Sequence, residues 1–311
     1  MNPIKLLSSW LFYGAIHEFS APPAPNSPPI VVYAGLGDSV LSDGMQDFMA
    51  ELAERYSTQV YGISVADTVD QDRRLSGLSD ANDNVAVACQ KLSRDLDGVP
   101  HVNAVGLSQG GLFLRAIIEQ CDDIPQFDNL VTFGTPHMGV ERLLQCSPRD
   151  WVCHSAQLVT KWGVYSDYAQ HHAVVAQYYR DPVRYATYLD KSTWLATLNN
   201  ERILLGNDEY DATYGDRLAS LDGFTAVMFD EDTVVNPRQS AWFASSPVSS
   251  EYAAKDDIVA LEEQPIYTHP RDPLGLRRLN EDGRLHLKSC AGQHLHLTDD
   301  CLWPILDDAF T

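Results

Sequence analysis

Positive charge is scarce in this chain. Its 311 residues carry 22 Lys and Arg against 43 Asp and Glu, a formal net charge of −21. That balance repels phosphate backbones and anionic headgroups, which excludes nucleic acid as a partner and simple electrostatic docking to an acidic membrane. No segment approaches the ~20 consecutive apolar residues of a membrane-spanning helix. No Cys-x-x-Cys pair is present, which argues against a zinc site. G-x-G-x-x-G begins at Gly35 and Gly37 but Val40 holds its third position, so the dinucleotide fingerprint is broken. Nor is there an Asn-x-Ser/Thr sequon, since Asn26-Ser27 runs into Pro28. Internal repeats are absent, and the one biased tract is Ala21 to Pro29, whose five prolines make it an extended linker.

Ahead of that linker, Leu6 to Ile16 is apolar and follows Lys5, as the h-region of a secretory signal does; a buried or amphipathic N-terminal segment is the other reading. Residues 1–29 are thus a signal-like segment and linker, and 30–311 one α/β domain long enough for a sizeable core. Strand–helix alternation runs to about Pro136. Met45, Phe48, Met49, Leu52 and Tyr56 share one helical face, as do Val85, Cys89, Leu92 and Leu96. Between about 140 and 222 the alternation stops. This stretch is rich in rings, including Trp151, Trp162, Tyr165, Tyr168, Tyr178, Tyr179, Tyr185, Tyr188 and Trp194. It reads as a mostly helical cap whose rings form core, line an apolar groove, or both. Alternation resumes at Phe224.

The chemistry is announced by Gly106-Leu107-Ser108-Gln109-Gly110, which follows the apolar run Val102 to Leu107 and opens a helix-like run from Gly111 to Cys121. In a strand–turn–helix, G-x-S-x-G lifts a serine hydroxyl clear of the sheet on a sharp turn, and its glycines avoid collision with the neighbouring strand and helix. Ser108 is the candidate nucleophile, and the Gln109 N–H a candidate oxyanion donor. The competing reading is a Gly-rich turn with an exposed serine. In this fold class an acid and then a histidine follow the serine along the chain. Phe224 to Phe229 reads as a buried strand ending in Asp230-Glu231-Asp232, where Asp232 is the preferred acid and Asp230 the runner-up. A second strand-like run, Arg284 to Ser289, leads through Gly292 to His294, the preferred base, with His296 as competitor. The early strand Ile30 to Tyr33 opens into Ala34-Gly35-Leu36-Gly37-Asp38-Ser39, so the Leu36 N–H is the candidate second oxyanion donor. This chemistry needs no metal and no organic cofactor.

The six cysteines allow fifteen connectivities. Cys146 and Cys153 flank a short turn-rich loop, Cys290 and Cys301 bracket the His294 loop, and Cys89 and Cys121 fall on two expected helices. Spacing lets Cys146–Cys153 close a local bridge and Cys290–Cys301 limit the motion of the His294 loop, while the connectivity as a whole stays open; an even number of cysteines is in keeping with a secretory route.

Five stretches together resemble the palmitoyl-protein thioesterases, which are α/β-hydrolases. They are Gly35 to Ser39; Ser108-Gln109-Gly110-Gly111 running into Phe113-Leu114-Arg115-Ala116; His137 to Val140; Asp232 to Pro237 with Trp242-Phe243; and Gly292 to Leu295. The resemblance implies a mostly parallel sheet flanked by helices, Ser108 as nucleophile, Asp232 as acid and His294 as base, with Leu36 and Gln109 as backbone donors. It implies the Cys146–Cys153 and Cys89–Cys121 bridges, whereas Cys290–Cys301 comes from spacing alone. It also implies removal of long acyl chains from S-acylated proteins, or from acyl-CoA, at a lysosomal, vacuolar or secreted address, although lysosomal members typically carry N-glycans. Ala34 stands where the family usually has His, Asn236 where it often has Asp, and Gly134-Thr135-Pro136-His137 is closer to broader lipases. The alternatives are a carboxylester lipase or an acyl-CoA thioesterase on the same triad and, from another class, a non-catalytic acyl-binding protein.

Overall fold

The computed structural model describes residues 17–20, 27–142, 163–206, 210–249 and 257–310. The signal-like residues 1–16, most of the Pro-rich linker, Trp151, Trp162 and the Cys146–Cys153 pair lie outside the described residues.

Short runs rich in β-branched and aromatic residues form the inner strands, and the edge strands are more polar. The strands are β1 (His17–Ser20), β2 (Ile30–Tyr33), β3 (Gln59–Gly62), β4 (His101–Leu107), β5 (Gln126–Phe133), β6 (Gly223–Phe229) and β7 (Leu285–Cys290). They make one sheet in the order β1-β3-β2-β4-β5-β6-β7, antiparallel at β1 and parallel elsewhere. The parallel sheet is the α/β-hydrolase arrangement expected above. β1 lies inside the segment read as leader and linker. It pairs His17 with Gly62, an edge contact that no local periodicity announces.

Helices cover both faces, so the inner strands read as continuous apolar runs rather than alternating ones. Along β2, Val31 and Tyr33 enter the core shared with α3 (Ala81–Asp95) and α4 (Gln109–Gln120), while Ile30 and Val32 enter the core under α1 (Asp43–Tyr56). The helix-spaced residues land as their period requires: Met45, Met49 and Leu52 of α1 and Val85 and Leu92 of α3 are buried. A shorter helix, α2 (Val69–Gly77), is capped by the Thr68 hydroxyl, which accepts from the Gln71 N–H. β7 departs from expectation. Leu285 and Cys290 are buried but the four residues between them are exposed, because this edge strand has only β6 beside it.

Between β5 and β6 lie α5 (Asp167–His172), α6 (Val174–Gln177), α7 (Tyr185–Lys191), α8 (Leu195–Leu198) and α9 (Ala212–Leu218); α10 (Pro265–Thr268), α11 (Leu276–Glu281) and α12 (Asp299–Phe310) follow later. Most described rings of the insertion are core. Trp194 and Tyr188 are fully buried and only Tyr168 is half exposed. Trp194 packs on Phe113 at 4.8 Å, and Phe113 stacks on Tyr33 at 5.0 Å. Truncating the central ring of that stack to Ala would cost about 3–5 kcal/mol. The stack joins the insertion, the helix after Ser108 and the strand before Gly35.

Two ion pairs sit in the dry interior: Arg115 to Glu119 at 2.9 Å on α4, and Arg180 to Glu201 at 2.9 Å, where the Tyr185 hydroxyl also donates to Glu201 at 3.0 Å. Glu119 fares worse than Glu201. Arg115 is near it but poorly aligned for a hydrogen bond, and no described donor reaches either Glu119 oxygen. Burial therefore pushes the Glu119 carboxyl up to about 8, with Arg115 pulling the other way. The folded state thus holds the proton more tightly than the unfolded chain, whose carboxyl titrates near ~4.3. The resulting stability is full below that value and is lost as pH rises towards 8. Urea titrations of the wild type and Glu119→Gln from pH 5 to 9 should show the difference between them changing across this window, the wild type losing ground as pH rises. Parallel curves would mean that Glu119 is ionised throughout.

Candidate active site

β4 ends at Leu107 and α4 starts at Gln109, so a single residue makes the turn. Ser108 makes it with φ 51° and ψ −125°, a strained backbone for a residue with a Cβ. Its N–H donates to Phe133 O at 2.7 Å, and its carbonyl accepts from Thr135 Oγ1 at 2.7 Å. The turn is possible because the chains around it touch. A Cβ on Gly110 would lie 2.2 Å from Tyr33 O, and one on Gly106 would lie 2.5 Å from Gly111 Cα.

Register brings the other residues to the same rim. Tyr33 is level with Gly106, Leu107 with Phe133, Phe133 with Val227, and Phe229 with Cys290. The loops leaving these strands at their carboxyl ends converge, as sites on open α/β sheets do. His294 Nε2 lies 2.9 Å from Ser108 Oγ, and His294 Nδ1 lies 2.6 Å from Asp232 Oδ2. A carboxylate only accepts, so Nδ1 carries the hydrogen and Nε2 keeps a lone pair for the serine hydroxyl. Asp232 is buried, and its Oδ1 accepts from the Val234 and Val235 N–H groups at 2.7 and 3.0 Å. Those bonds leave Oδ2 for the imidazole.

The competitors stand elsewhere. Asp230 and His296 are exposed, whereas the side chains of His294 and Asp232 retain 12% and 2% of their exposure. The acidic loop and the histidine loop are laced together, Asp230 N–H donating to Cys290 O and Glu231 N–H to Gly292 O, both at 2.9 Å. Cys290 and Cys301 are at disulfide distance, with Cα atoms 5.6 Å apart across the base of the histidine loop; Cys89 and Cys121, at 5.5 Å, are the second such pair.

On the opposite side the Gly35 loop lies against the serine. A Cβ on Gly35 would approach Ser108 Cβ to 3.2 Å. Leu36 follows, partly buried against the main core, and Gln109 is the first residue of α4, where backbone N–H groups have no intrahelical acceptor. His137, which gave the lipase-like string its interest, is fully buried: Thr132 Oγ1 is 3.0 Å from its Nε2, and its ring stacks on Phe243 at 4.4 Å. Burial, with Arg115 beside it, holds its pKa well below the ordinary histidine range. It is a packed core residue. Among the described residues no group of three His, Cys, Asp or Glu is placed to hold a metal ion.

Two residues beside the site make contacts that are not legible in the sequence, although Thr135 stands in the lipase-like string. Thr135 holds the Ser108 carbonyl, and Ser76 of α2 touches both the Gly35 loop and Gln109. These contacts carry no local signal, since the partners lie 27 to 39 residues away.

Asp232→Asn should lower turnover by roughly 10³- to 10⁴-fold, because an amide facing Nδ1 imposes the wrong imidazole tautomer. Asp230→Asn should leave turnover nearly unchanged. Steady-state kinetics on both variants would expose an error of register if Asp230→Asn proved the damaging one.

The palmitoyl protein thioesterase family model matches residues 29–294, a span that includes Leu36, Ser108, Gln109, Asp232 and His294. Palmitoyl-protein thioesterase 1 of Caenorhabditis elegans is 30% identical over 271 residues, covering 86% of this chain and 87% of that protein. The palmitoyl-protein thioesterase-dolichyl pyrophosphate phosphatase fusion 1 of Schizosaccharomyces pombe is 31% identical over 271 residues, 86% of this chain. The match spans 41% of the fusion protein's length. Lysosomal thioesterase PPT2 of Homo sapiens is 26% identical over 273 residues, covering 85% of this chain and 82% of that protein. With the family matched from Pro29 to His294, this chain belongs to the palmitoyl protein thioesterases.

Proposed function

We propose that this chain hydrolyses long-chain acyl thioesters, releasing palmitate from S-acylated cysteines of proteins through an acyl-serine. The observation that carries the reading is the line Asp232–His294–Ser108, with contacts of 2.6 and 2.9 Å, in a member of this family. In the proposed reaction His294 Nε2 takes the hydroxyl proton as Ser108 Oγ attacks the thioester carbonyl. Asp232 holds the tautomer and stabilises the imidazolium. The Leu36 and Gln109 N–H groups receive the oxyanion, each worth about 3 kcal/mol of barrier. The carbon–sulfur bond breaks and the cysteine thiolate leaves with the proton from His294. Water then attacks the acyl-serine, giving one proton to His294, which returns it to Ser108 Oγ as the fatty acid departs.

S-acylated proteins are the proposed substrates, with acyl-CoA as a small-molecule alternative. We assign the acyl groove to the helical insertion, about 140 to 222, within a domain running from about 30 to 311. A lysosomal or secretory address is part of the same proposal. It is supported by the human relative's name and by the two cysteine pairs at bonding distance.

Three measurements test this reading. A fluorophosphonate should label Ser108, and Ser108→Ala should lose both labelling and turnover while melting like the wild type; unchanged turnover would remove the nucleophile assignment. A groove that takes the acyl chain at about 0.8 kcal/mol per CH₂ should raise kcat/KM roughly tenfold for each two-carbon extension until it is full. Palmitoyl thioesters should then far outrun butyryl ones, and a matched oxygen ester should lag; comparable ester rates would favour the lipase reading, and a flat profile would make the insertion core alone. Finally, non-reducing peptide maps should recover all six cysteines in pairs. A full set of alkylatable thiols would point to a reducing compartment.

A further inference from the structure

Ser76, near the end of α2, reaches both segments that flank the reacting carbonyl in the proposed reaction. Its Oγ accepts the Gly37 N–H at 2.8 Å, and its backbone carbonyl accepts Gln109 Nε2 at 2.8 Å. Gly37 is the residue after Leu36, and Gln109 is the residue after Ser108. One residue therefore grips each proposed oxyanion donor at one remove, across sequence separations of 39 and 33.

The grip is directional and local. The Ser76 hydroxyl donates to Arg73 O at 2.7 Å, which orients its lone pairs towards Gly37. Arg73 adds a weaker hold on the same loop, its guanidinium 3.4 Å from Asp38 Oδ1. The far end of the strap is anchored too: Gln177 of α6 donates to Ser79 O at 2.9 Å and accepts the Ala81 N–H at 2.8 Å. Gln109 itself argues for a task beyond packing. Its side chain is buried and its Oε1 meets no described donor, a cost that an apolar side chain would avoid. What the amide contributes is the donor to Ser76.

We propose that Ser76 is a positioning residue that sets the spacing of the Leu36 and Gln109 N–H groups, so that both point at one developing oxyanion. Two donors on separate chain segments stabilise a tetrahedral oxygen only at matched distances, and misplacement by about 1 Å can cost on the order of 10²-fold in rate. Ser76 touches no reacting atom; it acts through Gly37 and Gln109. The inference rests on the proposed acyl-serine reaction.

The test uses the full-length chain carrying Ser76→Ala, Ser76→Thr, Gln109→Met, Ser79→Ala or Ser108→Ala. The measurements are kcat and KM on a palmitoyl thioester, the melting temperature, and the inhibition constant of a long-chain trifluoromethyl ketone, whose serine adduct carries an oxyanion. Ser76→Ala should lower kcat roughly 10- to 100-fold with KM nearly unchanged, and should weaken the ketone by a similar factor. Ser76→Thr, which keeps the hydroxyl, should recover most of the loss. Gln109→Met keeps its backbone N–H but loses the amide donor, so it should shift kcat and the ketone in the same direction as Ser76→Ala. Ser79→Ala removes a hydroxyl that, among the described residues, bonds Leu75 O and Asn84 within the α2–α3 segment, and should behave as wild type. Wild-type kcat in Ser76→Ala would overturn the inference, as would a loss of kcat that follows the melting temperature and leaves ketone affinity untouched. Surviving turnover in Ser108→Ala would instead overturn the underlying reaction.

Discussion

Everything at the proposed site hangs on one tight turn. Ser108 is forced to φ 51° because β4 and α4, both buried, meet with a single residue between them. That turn survives only because Gly110 lets α4 press on the Tyr33 carbonyl and Gly106 lets β4 press on Gly111. The strain is held by what surrounds it: Ser108 N–H is bonded to Phe133 and its carbonyl to Thr135. A backbone pinned at both groups leaves the side chain nowhere to go but over the carboxyl rim of the sheet.

The rim is then filled by register. Parallel pairing sets the ends of β2, β4, β5, β6 and β7 level, so residues far apart in the chain leave the sheet in one row. Two loops of this row are tied to each other rather than to the serine. The Asp232 loop bonds to the His294 loop through backbone pairs, and Cys290–Cys301 closes the base of the latter. The imidazole is thereby held on the histidine loop's side and on the acid's side, the fixed geometry that the proposed proton relay needs.

The insertion between β5 and β6 belongs to the same body. Trp194, Phe113 and Tyr33 form one stack from the insertion through α4 to the strand before Gly35. The Arg115–Glu119 contact and the Arg180–Glu201 ion pair are buried within this layer. Each lies within one part of the layer; a contact that crosses is Arg115 of α4 donating to Asn199 Oδ1 of the insertion. α2 crosses from this layer to the Gly35 loop, linking the seat of the insertion to the proposed oxyanion donors.

Much of this was written in local pattern. Apolar runs bounded by turns revealed the inner strands, helical spacing revealed the faces of α1 and α3, and G-x-S-x-G in its strand–helix setting picked out Ser108. Loops at strand ends, taken in chain order, narrowed the acid and the histidine to two candidates each. Choosing between them was a tertiary decision: Asp230 and Asp232 differ only in which one the turn after Phe229 buries against Val234 and Val235, and His294 and His296 only in which one faces that carboxylate. The β1 edge, the burial of His137 and the double grip of Ser76 left no local trace. Each depends on at least one partner dozens of residues away, such as Phe243 for His137, and no window of sequence contains both halves of such a contact. Local sequence determined which elements form and which residue types stand at their ends; packing and register decided which of those residues meet.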